Sequence, residues 1–447
     1  MEDSPAVIDQ VYRDSRLRLA FLSAVVSLAA AFAASSAPIP LFNLYRAEEG
    51  FNNADISLTV VAYDLPTLAA LLVMGRLSNY VGRRSTAIAS LGLLALGCLV
   101  LLNVHAVGTL LARRVLMGLG AGLASSNVTA YVVDAVPSRP AWLASVASSQ
   151  TVTLGLAVGA IASGALVQYG PSPRHLTYLV AVGSLFVSAV LIVVSPETVT
   201  RTPGAWRSLR PSVRVPSRVR GLLPVAAAVF LSTWATGAFY QAFVPGLVED
   251  QLHSRSSLVL GLVFAAFMAP SVLGAPLGGR FTPAAGQRVG MTVFLARWIG
   301  ITTAITAGSL TVFIAATVVA GAAQGIAVSA AIRGLLHGST VADRAPIFSV
   351  IYLICYSAAA FPTSCPASSP ALSRCRRSLS GTADSPSSPP SSPSPPHATP
   401  LAKGRADNER RTQAGRREGG RQHRSGPLRV VPRRRAGRLA LLHAPET

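Results

Sequence analysis

One acidic residue lies inside a long apolar run of the sequence. Asp64 stands in the run Val-Val-Ala-Tyr-Asp-Leu-Pro, which ends at Pro66. An ionised carboxylate is expensive in the hydrocarbon core of a membrane, so such residues often mark ion or proton pathways. We therefore expect Asp64 to take up and release a proton, while Pro66 frees a backbone carbonyl group nearby. The alternative is a structural role, in which Asp64 pairs with an arginine such as Arg114.

Two arginines, Arg113 and Arg114, lie near the start of another apolar run. An arginine within a spanning helix usually faces a cavity or a partner. The alternative is that both side chains extend to the membrane surface while their stems cover apolar area. Asp134 ends the same run just before Pro137 and is expected to be a boundary residue.

Further polar and aromatic side chains inside apolar runs are candidates for lining a substrate cavity. Trp234, Tyr240 and Gln241 stand at near-helical spacing and offer ring faces and hydrogen-bonding groups, as small-molecule sites do. Packing or anchoring at the membrane interface would explain them equally well. The other candidates are Gln150, Gln324, Ser35, Ser36 and Asn127.

The sequence carries no signature of an enzyme, a metal site or a cofactor site. The motifs HExxH, GxSxG and GxxxxGK[ST] are missing, and the single lysine is Lys403. The four cysteines form no CxxC pair and have no histidines at metal-binding spacing. We predict a protein that is not an enzyme, with no metal and no cofactor.

The elements that must position these residues are long apolar helices. Of the 447 residues 51% are hydrophobic and only 13% are charged, which is too little charge to cover a soluble protein of this size. Runs of about 20 apolar residues can each cross a membrane as a helix. We predict an all-α membrane protein with eleven spans, at 17–42, 56–77, 86–107, 109–133, 144–168, 176–195, 222–247, 257–279, 289–308, 310–333 and 347–363.

Most arginines in loops fall on one side of this arrangement. The segments 78–85, 134–143, 196–221, 280–288 and 334–346 carry them, which predicts a cytoplasmic amino terminus by the positive-inside rule. Roughly half of the net charge of +21 comes from the carboxy-terminal tail. The rest lies mostly in short loops, where it indicates topology. It does not indicate binding to nucleic acid.

The loop after the second predicted span carries a recognisable pattern. Its sequence, Gly-Arg-Leu-Ser-Asn-Tyr-Val-Gly-Arg-Arg, resembles the loop signature G-x-L-x-D-R-x-G-R-R of the major facilitator superfamily. The matching residues are Gly75, Arg76, Asn79, Gly82, Arg83 and Arg84. The resemblance implies a conformational latch between two halves of a carrier. Asn79 replaces the acidic residue of the pattern, so the latch is expected to lack one salt bridge.

Two further segments are similar to patterns of the same family. Arg114, Gly118 and Gly120 match R-x-x-x-G-x-G in the fourth span, which implies that Arg114 takes part in proton coupling. Gly155, Gly159 and Gly164 are similar to the fifth-span pattern G-x-x-x-G-P-x-x-G-G of antiporters, with Ala160 in place of the proline. These glycines also let helices approach closely. A weaker copy of the loop pattern follows the eighth span at 274–280, as expected for internal repeats.

The resemblance implies two six-helix halves around a central cavity. The predicted division is residues 1–195 for the first half, 196–221 for a basic, non-helical linker, and 222–363 for a second half with five helices and no twelfth. Residues 364–447 are rich in Ser, Pro and Arg and predict a disordered tail. Their composition also fits a shifted reading frame in a GC-rich gene; the alternative is a genuine cytoplasmic tail.

The function these patterns predict is transport of a small molecule by a proton-coupled secondary carrier with alternating access. Mostly apolar and aromatic cavity candidates favour export of amphipathic compounds. A sugar or metabolite importer of the same family, a transport-dead receptor and a truncated non-functional product remain alternatives. The expected partners are protons, the substrate and the lipid bilayer. We expect a monomer that crosses the inner (plasma) membrane several times.

Overall fold

The long apolar runs of the sequence form α-helices, and none of the described residues forms a strand. The computed structural model describes residues 5–102, 106–136, 142–209, 215–338 and 341–364. Eleven helices in it are longer than ten residues: α1 (Pro5–Ser36), α2 (Asn53–Met74), α3 (Arg83–Val100), α4 (Val107–Leu123), α5 (Trp142–Tyr169), α6 (Pro173–Val194), α7 (Leu223–Ala242), α8 (Ser257–Met268), α9 (Pro283–Thr306), α10 (Leu310–Leu336) and α11 (Val341–Ser364).

Ten segments built on α1 to α10 are long and apolar enough to cross a membrane. The described apolar part of α11, Ile347–Ala358, is shorter than such a span. The predicted all-α membrane fold is therefore confirmed, and the helices match the eleven predicted runs closely. The predicted tail at 364–447 lies outside the described residues apart from Ser364, and so does the middle of the predicted linker.

Proline residues account for two of the places where helices stop earlier than predicted. The first span was expected to reach residue 42, but α1 ends at Ser36 and a short 3-10 turn follows Pro38. The seventh was expected to reach residue 247, but α7 ends at Ala242 and a separate helix, Val244–Asp250, carries Pro245 in its first turn. Proline lacks the N–H that would continue a helix, so each break lies next to one. The linker was predicted to be non-helical, yet its described part contains the short turns Ala205–Ser208 and Ser217–Val219.

The helix α4 contains an irregular turn near its carboxyl end. After Leu123 it runs into a π-helical turn, Ala124–Val128, and continues as a regular helix over Thr129–Asp134. From here on, α4 denotes this whole segment, Val107–Asp134. A π-turn inserts one residue into the helical repeat and is often found at functional positions. Asn127, within this turn, accepts a hydrogen bond from the backbone N–H of Ser78 at 3.3 Å.

The helices pack as two sets that also contact each other. Within the first set α2 packs on α4, α1 on α5 and α3 on α6, and within the second α9 packs on α10 and α7 on α11. Between the sets, α5 packs on α8 and α2 on α11. We call the end of the bundle at residues 37–52 the α1–α2 end, and the end at residues 75–82 the α2–α3 end.

Candidate functional site

Asp64 lies in the middle of α2 and is buried. Its side chain is 3% exposed, and its Oδ2 atom has no hydrogen-bond partner among the described residues. The amino terminus of α2 is stabilised, because Asn52 and Asp55 form a reciprocal capping box there. Pro66 lies inside α2 two residues further on and does not end the helix. The arrangement presents a carboxyl group without a fixed partner in the interior of the bundle.

Arg114 connects three helices beside Asp64. Its guanidinium is fully buried, donates from Nε to the Thr59 carbonyl at 3.3 Å and donates from Nη1 to the Ser35 carbonyl at 3.4 Å. It also lies 4.7 Å from the centre of the Tyr63 ring. Asp64 is near enough to interact with it electrostatically, although the two form no ion pair within 4 Å in the part of the chain that the structure describes. The positive charge is thus held mainly by backbone carbonyls and an aromatic face.

Small residues on α4 bring Arg114 this close to α2. A Cβ atom on Gly118 would collide with the Tyr63 carbonyl, and one on Gly122 would lie 2.5 Å from the Thr67 carbonyl. The Thr67 hydroxyl donates to the Tyr63 carbonyl at 2.7 Å and lies 3.0 Å from the Gly118 carbonyl. On the other face of α4, Gly120 packs against Leu94 of α3. Gly118, Gly120 and Gly122 thus all lie at contacts between helices.

Two aromatic residues from the second set of helices approach the same region. Tyr356 of α11 lies near Asp64 and Tyr63, and its ring lies 4.8 Å from that of Trp234 on α7 in an edge-on arrangement. Trp234 also packs against a small cluster formed by Val60 of α2 with Ala238 and Ala242 of α7. Asp64 therefore lies where α2 meets α7 and α11. Trp234 stands out in the sequence, whereas the only signal of Tyr356 is a hydroxyl-bearing ring in the last apolar run.

The loop at the α2–α3 end is tied to the end of α4 and to the segment after α6. Arg83 donates from Nε to Asp134 at 2.8 Å, and from Nη1 to the hydroxyl of Ser78. Glu197 accepts the backbone N–H groups of Arg83 at 2.8 Å and Arg84 at 3.2 Å. Gly82 adopts a φ of 104°, which favours glycine, directly beside Glu197.

The remaining latch residues make contacts of the same kind. The Asn79 carbonyl accepts a 3.5 Å hydrogen bond from Thr202, and Arg84 donates to the carbonyl of Val193. Gly75 follows the end of α2, with Ser126 of α4 as a neighbour, and Arg76 follows Gly75. These contacts join elements of the first set; the predicted latch between two halves stays a prediction.

The comparison with known proteins agrees with this arrangement. The sequence model of the Major Facilitator Superfamily matches residues 21–361, which is well over half of the chain. The chain belongs to the major facilitator superfamily. The chain is also similar to the MFS efflux transporter aclA of Aspergillus oryzae (strain ATCC 42149 / RIB 40), at 36% identity over 109 residues. That alignment covers 24% of this chain and 20% of the relative, so the chain matches about a fifth of the relative's length.

As a member of the major facilitator superfamily, the protein is a multi-pass membrane protein. Its family carries small-molecule substrates, and the resemblance predicted from the loop and fourth-span patterns is confirmed. The glycines of the fifth-span pattern serve two contacts in this family member. Gly155 and Gly159 pack on Ala29 and Ala33 of α1, whereas Gly164 packs on Ser257 and Leu258 of α8.

Another buried arginine of this family member lies among residues of the second set of helices. Arg297 of α9 donates to the Thr236 hydroxyl at 2.7 Å and to the Phe294 carbonyl at 2.6 Å, and its guanidinium lies 3.5 Å from the centre of the Phe294 ring. Nearby, Tyr240 stacks on Phe267 at 4.4 Å. Arg297 was not among the predicted site residues, although its position in the apolar run 289–308 is a signal of the same kind as that of Arg114.

The other predicted cavity residues are dispersed over the bundle. Tyr240 shares a 2.8 Å hydrogen bond with Thr317, so both its ring and its hydroxyl contact the second set of helices. Gln324 is buried on α10, and Gln241 and Gln150 are half-buried on α7 and α5. Among these candidates Trp234 is the one with described contacts to the surroundings of Asp64. Their role in a substrate cavity stays a prediction.

Proposed function

We propose that the chain is a proton-coupled secondary carrier that exports small amphipathic compounds. The observation that carries this proposal is the buried, unpaired carboxyl group of Asp64 at the contact between the two sets of helices. Arg114 lies beside it, held by carbonyls of α1 and α2. Protonation at this one position therefore alters a contact that an alternating-access cycle must open and close.

The direction of coupling follows from the energetics of burial. A neutral Asp64 can stay beside Tyr356 and Trp234 without a partner at moderate cost, whereas an ionised Asp64 favours water or closer contact with Arg114. Proton loading thus stabilises the arrangement seen here, in which α2 contacts α7 and α11. Proton release favours its opening. The charged and titratable groups around Asp64 are Arg114, Tyr63 and Tyr356.

Export is supported by two observations of different kinds. The relative at 36% identity is described as an efflux transporter, although the alignment covers a small part of it. The surroundings of Asp64 contributed by α7 and α11 are aromatic, through Trp234 and Tyr356, and aromatic surfaces suit amphipathic ligands. We place the protein in the plasma membrane as part of this proposal, with its amino terminus in the cytoplasm.

Transport by purified protein in lipid vesicles tests the proposal. Dyes and labelled metabolites would be offered with and without a pH gradient to the full chain, to Asp64→Asn and to Asp55→Asn. Asp55→Asn makes the same chemical change on the same helix, at its capping box. We expect gradient-driven movement of an amphipathic dye by the full chain and by Asp55→Asn, and its loss in Asp64→Asn.

Each other result has a defined meaning. Gradient-driven transport that persists in Asp64→Asn would show that the proton is carried elsewhere. Transport that ignores the gradient in all three proteins would exclude proton coupling. Inserted protein that moves none of the compounds would favour a receptor or an inactive product. Dye moving with the protons instead of against them would reverse the assignment of export.

A further inference from the structure

A cavity of about 300 Å³ lies at the α2–α3 end of the bundle, away from Asp64. Its walls are formed by the first turns of α3 and by the segment that follows α6. The lining residues are Arg84, Ser85, Ile88, Glu197 and Arg201. None of the roles considered above accounts for an open cavity at this position.

The polar part of the cavity presents two guanidinium groups. Arg201 donates from Nη2 to the Ser85 hydroxyl at 3.1 Å, and Arg84 donates to the carbonyl of Val193. A guanidinium has five N–H donors, so these bonds use a small part of its capacity. Two guanidiniums and a hydroxyl around one space match the oxygen atoms of a phosphate group, which arginine binds in a bidentate manner.

The one carboxylate in the cavity is already engaged. Glu197 accepts the backbone N–H groups of Arg83 and Arg84 at the amino terminus of α3. A carboxylate is stabilised there by the unpaired N–H groups and the helix dipole. It therefore fixes the wall of the cavity, and the two guanidiniums outnumber this single carboxylate among the lining residues.

Apolar surface continues from the cavity along two helices. Ile88 of α3 lines the cavity and is exposed, as are Val193 and Val194 at the end of α6. In a spanning protein such exposed aliphatic residues face the acyl chains of lipids. The cavity thus lies where an apolar helix surface meets a positively charged end, which is the position of a phospholipid headgroup.

We propose that this cavity binds the phosphate of an anionic membrane phospholipid, with the acyl chains along α3 and α6. The arginine distribution predicts that the α2–α3 end faces the cytoplasm, where anionic lipids attract basic groups. The proposal does not depend on proton coupling, because it rests on residues at the α2–α3 end, whereas Asp64 lies in the middle of α2.

Lipid binding by the purified full chain tests this proposal. Detergent-solubilised, delipidated protein would be titrated with phosphatidylglycerol, with phosphatidylcholine and with soluble glycerol 3-phosphate, and bound ligand measured by native mass spectrometry. The variants are Arg201→Gln, Ser85→Ala and the control Arg218→Gln. Arg218 is an exposed arginine of the linker that also donates to a backbone carbonyl, that of His337, at 2.7 Å.

We expect phosphatidylglycerol to bind the full chain and Arg218→Gln equally, and Arg201→Gln about tenfold more weakly, as for loss of a charge-assisted hydrogen bond. Ser85→Ala removes the hydroxyl and keeps both guanidinium groups of the cavity. It should therefore weaken phosphatidylglycerol binding, but less than Arg201→Gln does. Equal binding to Arg201→Gln and to the full chain would overturn the proposal. Glycerol 3-phosphate binding as tightly as the lipid would assign the cavity to a soluble phosphate instead.

Discussion

Arg114 holds α1, α2 and α4 together through a single side chain. Two backbone carbonyls and the Tyr63 ring surround its guanidinium, and Asp64 is the carboxylate near it. Because the bonds run to main-chain atoms of α1 and α2, a side chain that cannot reach them loses these hydrogen bonds between helices. Each such loss costs about 1–3 kcal/mol.

Replacing Arg114 should therefore affect stability and proton dependence together. We expect Arg114→Gln to lower the thermal stability in detergent and to change how transport depends on pH, because the charge beside Asp64 is gone. Arg114→Lys should keep part of the pH dependence, since it keeps the charge but lacks the planar fork of donors. Both effects are measured by thermal unfolding and by transport at a series of pH values.

Arg297 provides the matched control for this change. It is also a buried arginine within a spanning helix, but its described partners are Thr236, a carbonyl and aromatic rings. Arg297→Gln should lower stability by a comparable amount and leave the pH profile of transport in place. The same altered profile in both variants would mean that the change reflects damage to the fold and not proximity to Asp64.

At the level of single residues, the sequence showed which groups were unusual but not how they were arranged. Asp64 and Arg114 could be selected because charges stand out in apolar runs. Their closeness depends on the packing of α4 against α2 at Gly118, which spacing along the chain does not encode. Tyr356 was missed because a tyrosine in an apolar run is ordinary, and only the contact of α2 with α11 places it near Asp64.

Among the elements, the pair α2 and α4 depends on glycine at its crossing. A methyl group at Gly118 would meet the Tyr63 carbonyl and would lie 3.2 Å from Cβ of Pro66. Gly118→Ala should therefore separate the helices at Arg114 and lower stability by about 1–3 kcal/mol, as overpacking does. Thermal unfolding in detergent measures the loss.

The control for this prediction is an exposed glycine in a neighbouring helix. A methyl group at Gly92 of α3 would meet nothing within 4 Å. Gly92→Ala should be neutral or stabilise by up to about 1 kcal/mol, because alanine restricts the unfolded chain more than glycine. Equal destabilisation by both changes would argue against the close crossing of α2 and α4.

The positions of the helices could be predicted well because the apolar runs are long. The residues at which helices end could be predicted less well. Pro66 lies inside α2 without ending it, whereas α7 stops three residues before Pro245. Proline in a membrane helix is tolerated where neighbouring groups satisfy the freed carbonyls. That depends on tertiary contacts, so the sequence alone did not separate the two cases.

In the molecule as a whole, polar contacts join the two sets of helices at the α1–α2 end. Arg46 forms ion pairs of 3.4 Å with both Glu249 and Asp250, and Asn43 donates to the Pro245 carbonyl at 2.9 Å. On the other side of this end, the backbone N–H of Ser257 donates to Gln168 at 3.1 Å. These bonds must break if the bundle opens at this end.

Weakening the ion pairs should shift the balance between closed and open forms. Spin labels at Ala47 and Gln251, which are both exposed, would report the distance across this end. We expect Arg46→Gln to increase the long-distance population by up to about fivefold, since partly exposed ion pairs contribute up to about 1 kcal/mol. High salt should produce the same change in the unaltered chain.

Arg255 serves as the control at the same end. Its side chain is 91% exposed and lies 4.0 Å from Glu249, so Arg255→Gln should leave the distance distribution unchanged. Identical distributions for Arg46→Gln and the unaltered chain would show that the hydrogen bonds of Asn43 and Gln168 hold this end closed without the ion pairs.

The π-helical turn at Ala124–Val128 sets the phase of α4. One helical residue corresponds to a rotation of about 100° around the axis. Without the extra residue, the end of this helix that carries Asp134 would face about 100° away from its present direction, and Arg83 would lose its carboxylate partner. The π-helical turn shifts the helical repeat by one residue between Arg114 and Asp134. One helix can therefore direct Arg114 toward α2 and Asp134 toward the α2–α3 end.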